Sequence, residues 1–236
     1  MTKQEFSSVW TRAPRQPKAA GLRRDQIVTA AIELLDAEGL GALSMRKLGA
    51  KLDAGATSLY WHVANKDELL ELAMDEIWGM VRPPDPEHTS WREVVTTFAY
   101  NLRRTMLDHP WVATLIVSLP SVGPNAFELS DRLRRTFVGA GFSGMDIYLA
   151  SGTVSSYVLG QVLPEITAAE AFGEEGFDPE ELLDVMDTVA ADYPEMLADY
   201  RATMPADRQA ARAVAFDFGL ICVMDGLESR LRKPHK

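Results

Sequence analysis

The chain has 236 residues, 47% hydrophobic and 25% charged, which is enough apolar material for a small domain joined to a larger one. No run approaches the roughly 18 apolar residues of a membrane-spanning helix, no apolar stretch follows the basic N-terminus as in a signal peptide, and the single Cys222 excludes an internal disulfide. The net charge of -10 is uneven: residues 1–66 hold ten Lys/Arg against six Asp/Glu, and the remainder 14 against 28.

Residues 1–21, with Pro14 and Pro17 and no periodicity, read as a flexible basic arm. From Leu22 apolar residues recur at helical spacing through Ile27, Ala30, Ala31, Leu34 and Leu35, and Gly39 stops the helix. Ser44 opens a short helix with Met45, Leu48 and Leu52 on one side. Asp53-Ala54-Gly55 makes a tight turn, and a second short helix is expected from Ala56 to Val63. Asn65 with Glu68 has capping-box spacing and starts a helix through Ile77, until Pro83, Pro84 and Pro86 break the pattern. Ser90 with Glu93 repeats that spacing and opens a helix to about Asp108. Pro110 suits the first turn of the next, and another helix covers 125–140 up to Gly141. Ser143 starts a long helix that Pro164 is expected to end. Residues 168–178 read as an acidic mobile loop, Asp178-Pro179-Glu180-Glu181 as a helix start, and the last helix runs from about Ala206 to Leu231. No β-alternation is present. The expectation is an all-α fold of about ten helices.

Two short helices joined by a glycine-containing turn, after a longer helix, describe a helix-turn-helix over residues 22–68. Leu48, Leu52, Leu59 and Val63 can pack inward. Ala56, Thr57, Ser58, Tyr60, Trp61 and His62 then lie near the exposed start and flank of a helix able to enter a major groove about 12 Å wide. Thr57 and Ser58 can bond bases or phosphates. Arg46, Lys47 and Lys66 sit where phosphates would lie. The basic head and acidic body fit this, since only the head need meet DNA.

Leu43-Ser44-Met45-Arg46-Lys47-Leu48 and Thr57-Ser58-Leu59-Tyr60-Trp61-His62-Val63-Ala64-Asn65-Lys66-Asp67-Glu68-Leu69-Leu70 resemble the DNA-binding domain of the TetR family of transcriptional regulators. Gly141-Phe142-Ser143, Leu159-Gly160-Gln161-Val162-Leu163 and Phe216-Asp217-Phe218-Gly219-Leu220 resemble the tetracycline-repressor type of C-terminal domain. The resemblance implies contacts to DNA from Arg46 and from Ala56 to His62, with Lys66 on the backbone. It also implies a homodimer on a palindromic double-stranded operator, and a ligand-binding and dimerisation domain over 69–236. Small residues Gly152, Ser155, Ser156 and Gly160, and a stripe of Val214, Phe218, Ile221, Cys222, Asp225 and Leu231, suit a four-helix interface or an intrachain bundle.

The family implies a cavity for a small-molecule effector. Phe98, Leu102, Trp111, Tyr148, Ser151 and Ser155 are the candidates to line it. The segment 115–120 has no histidine, Phe98 stands where a polar amide is expected and Pro164 where a carboxylate is, so the expectation is a hydrophobic effector without a protein-bound metal or other cofactor. His62, His88, His109 and His235 lack metal-ligand spacing, no nucleophile or phosphate-loop motif occurs, and Cys222 reads as a small core hydrophobe. The expected protein is a cytoplasmic repressor, not an enzyme and with no membrane partner. The alternatives are an activator of the same architecture and a small-molecule-binding bundle without DNA binding.

Overall fold

A computed structural model describes residues 8–11, 22–173, 178–205 and 207–231. Among these the secondary structure is helical, with no strand, as expected of an all-α chain. The helices are α1 (Arg24–Glu38), α2 (Met45–Lys51), α3 (Ala56–Leu59), α4 (Lys66–Met80), α5 (Trp91–Asp108), α6 (Val112–Leu115), α7 (Pro124–Ala140), α8 (Met145–Phe172), α9 (Pro179–Val189), α10 (Pro194–Thr203) and α11 (Arg208–Leu231). Short 3-10 turns occur at Val9–Thr11 and Leu40–Ala42. The chain divides into two compact units, Met1–Gly152 and Thr153–Lys236.

In the first unit, α4 packs against α1, α5 and α7, and its apolar face (Leu69, Leu70, Ala73, Ile77) is buried. The caps read from sequence are made. Ser44 Oγ accepts from Lys47 N at 3.2 Å, Asn65 Oδ1 from Glu68 N at 2.8 Å and Ser90 Oγ from Glu93 N at 3.3 Å. Gly141 (φ +106°) closes α7: its N–H reaches the Val138 carbonyl and the Phe142 N–H the Phe137 carbonyl, both at 3.0 Å. The Phe137 and Phe142 rings then meet edge to face at 5.4 Å, the apolar contact that accompanies this motif. The same pattern ends α2 with Asp53 at φ +48° in the glycine's place, and Ala54 N–H bonding the Gly49 carbonyl at 2.8 Å.

Part of the supposed N-terminal arm is ordered. Ser8 Oγ donates to one carboxylate oxygen of Glu71 on α4, Val9 N–H donates to the other at 2.9 Å, and the Val9 side chain is buried. Residues 1–7 and 12–21 lie outside the described part.

Pro164 does not end its helix. α8 runs on to Phe172, so residues 168–172 are helix rather than loop; residues 174–177 lie outside the described part. Losing one backbone bond to proline costs about 3 kcal/mol. Burying Val162 before it and Ile166 after it, on the row that begins Ala150, Val154, Val158, contributes roughly 1.5–3 kcal/mol for each side chain. Packing outweighs the break.

In the second unit, the buried row of α11 is Phe216, Leu220, Met224 and Leu227. Val214, Phe218 and Ile221 stand exposed on other faces, and Cys222, expected in the core, is exposed with them. Tyr157 on α8 donates its hydroxyl to the Phe216 carbonyl at 2.7 Å and packs its ring, tilted by 40°, against that of Phe216 with centroids 5.6 Å apart. Gly219 permits this: a Cβ there would lie 2.4 Å from the Tyr157 hydroxyl.

Candidate nucleic-acid interface and effector region

The head is built on side chains removed from water. Leu48, Leu59 and Val63 are fully buried with Ile27, Ala31 and Leu35 of α1, while Leu52 is only half-buried. The second short helix is shorter than expected. α3 spans Ala56–Leu59, and the chain continues in tight turns, His62 N–H bonding the Leu59 carbonyl at 2.9 Å and Val63 N–H the same oxygen at 3.0 Å. Burying Leu59 and Val63 four residues apart pins this segment and turns the side chains between them outward. Thr57 and Ser58 are exposed, Tyr60 and Trp61 are 44% and 58% exposed, and His62 is half-buried. The Ala56 side chain lies outside the description.

The cations differ in their engagement. Lys47 Nζ pairs with Glu38, and Lys51 Nζ lies 2.9 Å from Glu33. Lys66 Nζ donates to the Leu40 carbonyl at 3.1 Å, tying the start of α4 to the loop after α1. Arg46 is exposed and has no partner among the described residues. Where α1 begins, the Arg23 guanidinium donates to Asp25 at 3.0 Å and, chiefly through that bond, holds its carboxyl below the usual range. These exposed pairs can exchange their partners for phosphate at small cost.

The expected effector residues divide. Phe98, Leu102 and Trp111 are buried in the first unit. Trp111 does not offer its polar edge to a cavity, because its indole N–H is donated to Asp36 of α1 at 2.7 Å. Tyr148 is 63% exposed: it shares the four-residue row of Gly152, Ser156 and Gly160 on α8, away from the buried row of Ala150 and Val154. Ser151 and Ser155 are half-buried, and Ser155 belongs to the second unit.

Sequence reasoning missed two polar joints in the first unit. His109 Nδ1 meets the same Asp36 oxygen as Trp111, at 2.7 Å. Asp75, buried on α4, accepts from the backbone N–H groups of Asn125 (3.2 Å) and Ala126 (3.0 Å) and from the Asn125 amide (3.1 Å) at the start of α7. The adjacent helix start at Pro124 signalled a need for an acceptor. Nothing local pointed to a residue fifty positions away.

A three-helix head with an outward-facing short helix, followed by a larger helical body, defines a helix-turn-helix regulator. Residues 27–73 match the bacterial regulatory proteins of the tetR family, and residues 83–231 the tetracyclin repressor-like C-terminal domain. The chain belongs to the TetR family of transcriptional regulators. It is 41% identical over 196 residues to an HTH-type transcriptional regulator of Saccharopolyspora erythraea, covering 83% of this chain and 82% of that one. It is 30% identical over 224 residues to the HTH-type transcriptional repressor DrrR1 of Streptomyces coeruleorubidus, covering 92% and 81%. Among solved structures, ActR of Streptomyces coelicolor in complex with actinorhodin superposes with a TM-score of 0.76 at 30% identity, over 91% of this chain and all of that one. BioQ with its double-stranded DNA operator superposes with a TM-score of 0.57 at 28% identity, over 89% and 99%.

Proposed function

We propose that this regulator is a repressor that binds a palindromic operator as a homodimer and is released by a small, hydrophobic effector held without a metal. Residues 22–68 form the DNA-binding head, and residues 69–236 the ligand-binding and dimerisation body. The observation that carries the reading is the outward set of Thr57, Ser58, Tyr60 and Trp61, held in place by the buried Leu59 and Val63, with Arg46 exposed on the preceding helix. Thr57, Ser58, Tyr60, Trp61 and His62 meet base edges and backbone, with Ala56 at the helix start. Arg46, Lys47 and Lys66 hold phosphates. The operator-bound relative BioQ and the ligand-bound relative ActR support the two halves of the proposal.

Dimerisation is supported by what one chain leaves uncovered. Phe218 is 71% exposed, with Val214 and Ile221 near it on α11, and the Gly152, Ser156, Gly160 row on α8 is open to close helix approach. The role is regulatory rather than catalytic. No helix among the described residues is long and apolar enough to cross a membrane. A bacterial-type DNA-binding regulator works where the chromosome is, and on that ground we place the protein in the cytoplasm.

The test is a gel shift of the full-length protein on its own upstream region, followed by in vitro transcription. Repression requires a salt-sensitive shift and a fall in transcript. No shift at low salt on any promoter-proximal duplex refutes DNA binding, and a rise in transcript makes the protein an activator.

A further inference from the structure

Two joints inside the first unit tie the head-bearing helices to those that follow, and they differ in kind. At the first, Asp75 of α4 is 4% exposed and takes its three donors from the start of α7. Gly123 beside it has no room for a Cβ, which would fall 2.2 Å from the carboxylate carbon. A buried, backbone-keyed contact of this sort does not slide; it holds or it unpacks.

The second joint sets one carboxylate near the surface against two largely buried side chains of one corner. Asp36 lies in the last turn of α1, where a negative charge opposes the helix dipole and needs compensation from elsewhere. Its Oδ1 receives the Trp111 indole N–H at 2.7 Å and sits 2.7 Å from His109 Nδ1. Indole can only donate, so this oxygen is an acceptor, and His109 presents Nδ1–H to it. Both donors come from His109-Pro110-Trp111, the corner between α5 and α6. The corner is stiff: the His109 backbone N–H ends α5 on the Thr105 carbonyl at 3.0 Å, Pro110 fixes one dihedral, and Trp111 is 4% exposed. The Asp36 side chain is 31% exposed. A shift of an ångström or two at the corner makes or breaks two charge-assisted bonds at once, while the joint at Asp75 stays closed.

We propose that Asp36 is the positioning residue through which the α5–α6 corner sets the stance of the DNA-binding head. With both bonds made, α1 is held so that paired heads fit successive major grooves about 34 Å apart. With them broken, the head tilts while α4 remains anchored at Asp75. This deepens the repressor reading above and rests on it.

The test uses full-length protein and two duplexes from its upstream region, one with both half-sites and one with a half-site scrambled, titrated by fluorescence anisotropy at fixed salt. Asp36→Ala weakens binding to the two-site duplex on the order of tenfold. It leaves the single half-site within about twofold of the unaltered protein, because the head itself is intact. Trp111→Phe keeps the packing, removes one donor and gives a smaller loss in the same direction. Asp36→Asn keeps an acceptor oxygen and recovers most of the affinity. Equal losses on both duplexes would mean a merely structural role in the head and overturn the proposal, as would unchanged affinity for the two-site duplex in all three variants. If the unaltered protein binds neither duplex, the repressor reading fails and this inference falls with it.

Discussion

Asp75→Ala is expected to be among the most damaging single truncations in the first unit. It orphans the N–H groups of Asn125 and Ala126 and the Asn125 amide. A buried donor left without a partner costs about 1–3 kcal/mol, and Asn125 is only half-buried, so water can serve part of it. The sum is about 4 kcal/mol, which lowers Tm by roughly 8–16 °C in a chain of this size. Gly123→Ala should be comparably severe, since its Cβ would sit 2.2 Å from the Asp75 carboxylate carbon and 2.8 Å from its Cβ. Asp75→Ala removes the nearer of those atoms. The double variant should therefore lose less than the two single losses together, by at least about 1 kcal/mol. Urea unfolding and thermal melts of the four proteins, at one fixed protein concentration, measure all of this. Losses that add to within about 0.5 kcal/mol, or an Asp75→Ala protein melting within 2–3 °C of the unaltered one, would refute the account of this joint.

Gly139 on α7 is exposed with nothing near its missing Cβ, so Gly139→Ala should stabilise by about 0.5–1 kcal/mol, a counterpart to Gly123 read in the same melts. Gly219→Ala should lose about 1–3 kcal/mol by driving Tyr157 off the Phe216 carbonyl, with a change in tyrosine fluorescence; a neutral result would remove that contact from the account. Glu38→Gln releases Lys47 and should tighten operator binding and steepen its salt dependence, whereas an unchanged slope would show that Lys47 never reaches phosphate. Lys66→Ala should weaken binding to all sequences alike and lower the salt slope by about one unit; sequence-selective loss would mean that its bond to the Leu40 carbonyl, not a phosphate, is what matters.

The sequence alone determined what depends on near neighbours in the chain. Helix starts at Ser44, Asn65 and Ser90, the stop at Gly141 and the outward face of Thr57 and Ser58 follow from hydrogen bonds and apolar periodicity within a few residues, and they were legible for that reason. Tertiary structure decided the rest. Pro164 reads as a stop until Val162 and Ile166 bury the helix on both sides of it. Trp111 and Tyr148 both read as cavity wall, but an acceptor 75 positions away claims the indole edge of one, and the register of α8 turns the other to solvent. On α11 the row of Phe216, Leu220, Met224 and Leu227 is the buried one, with Phe216 against Tyr157 of another helix, and the row itself did not say so. Hydrophobicity says that a side chain seeks cover; only the packed chain says what covers it, because burial and long-range polar pairing are properties of the assembled neighbours.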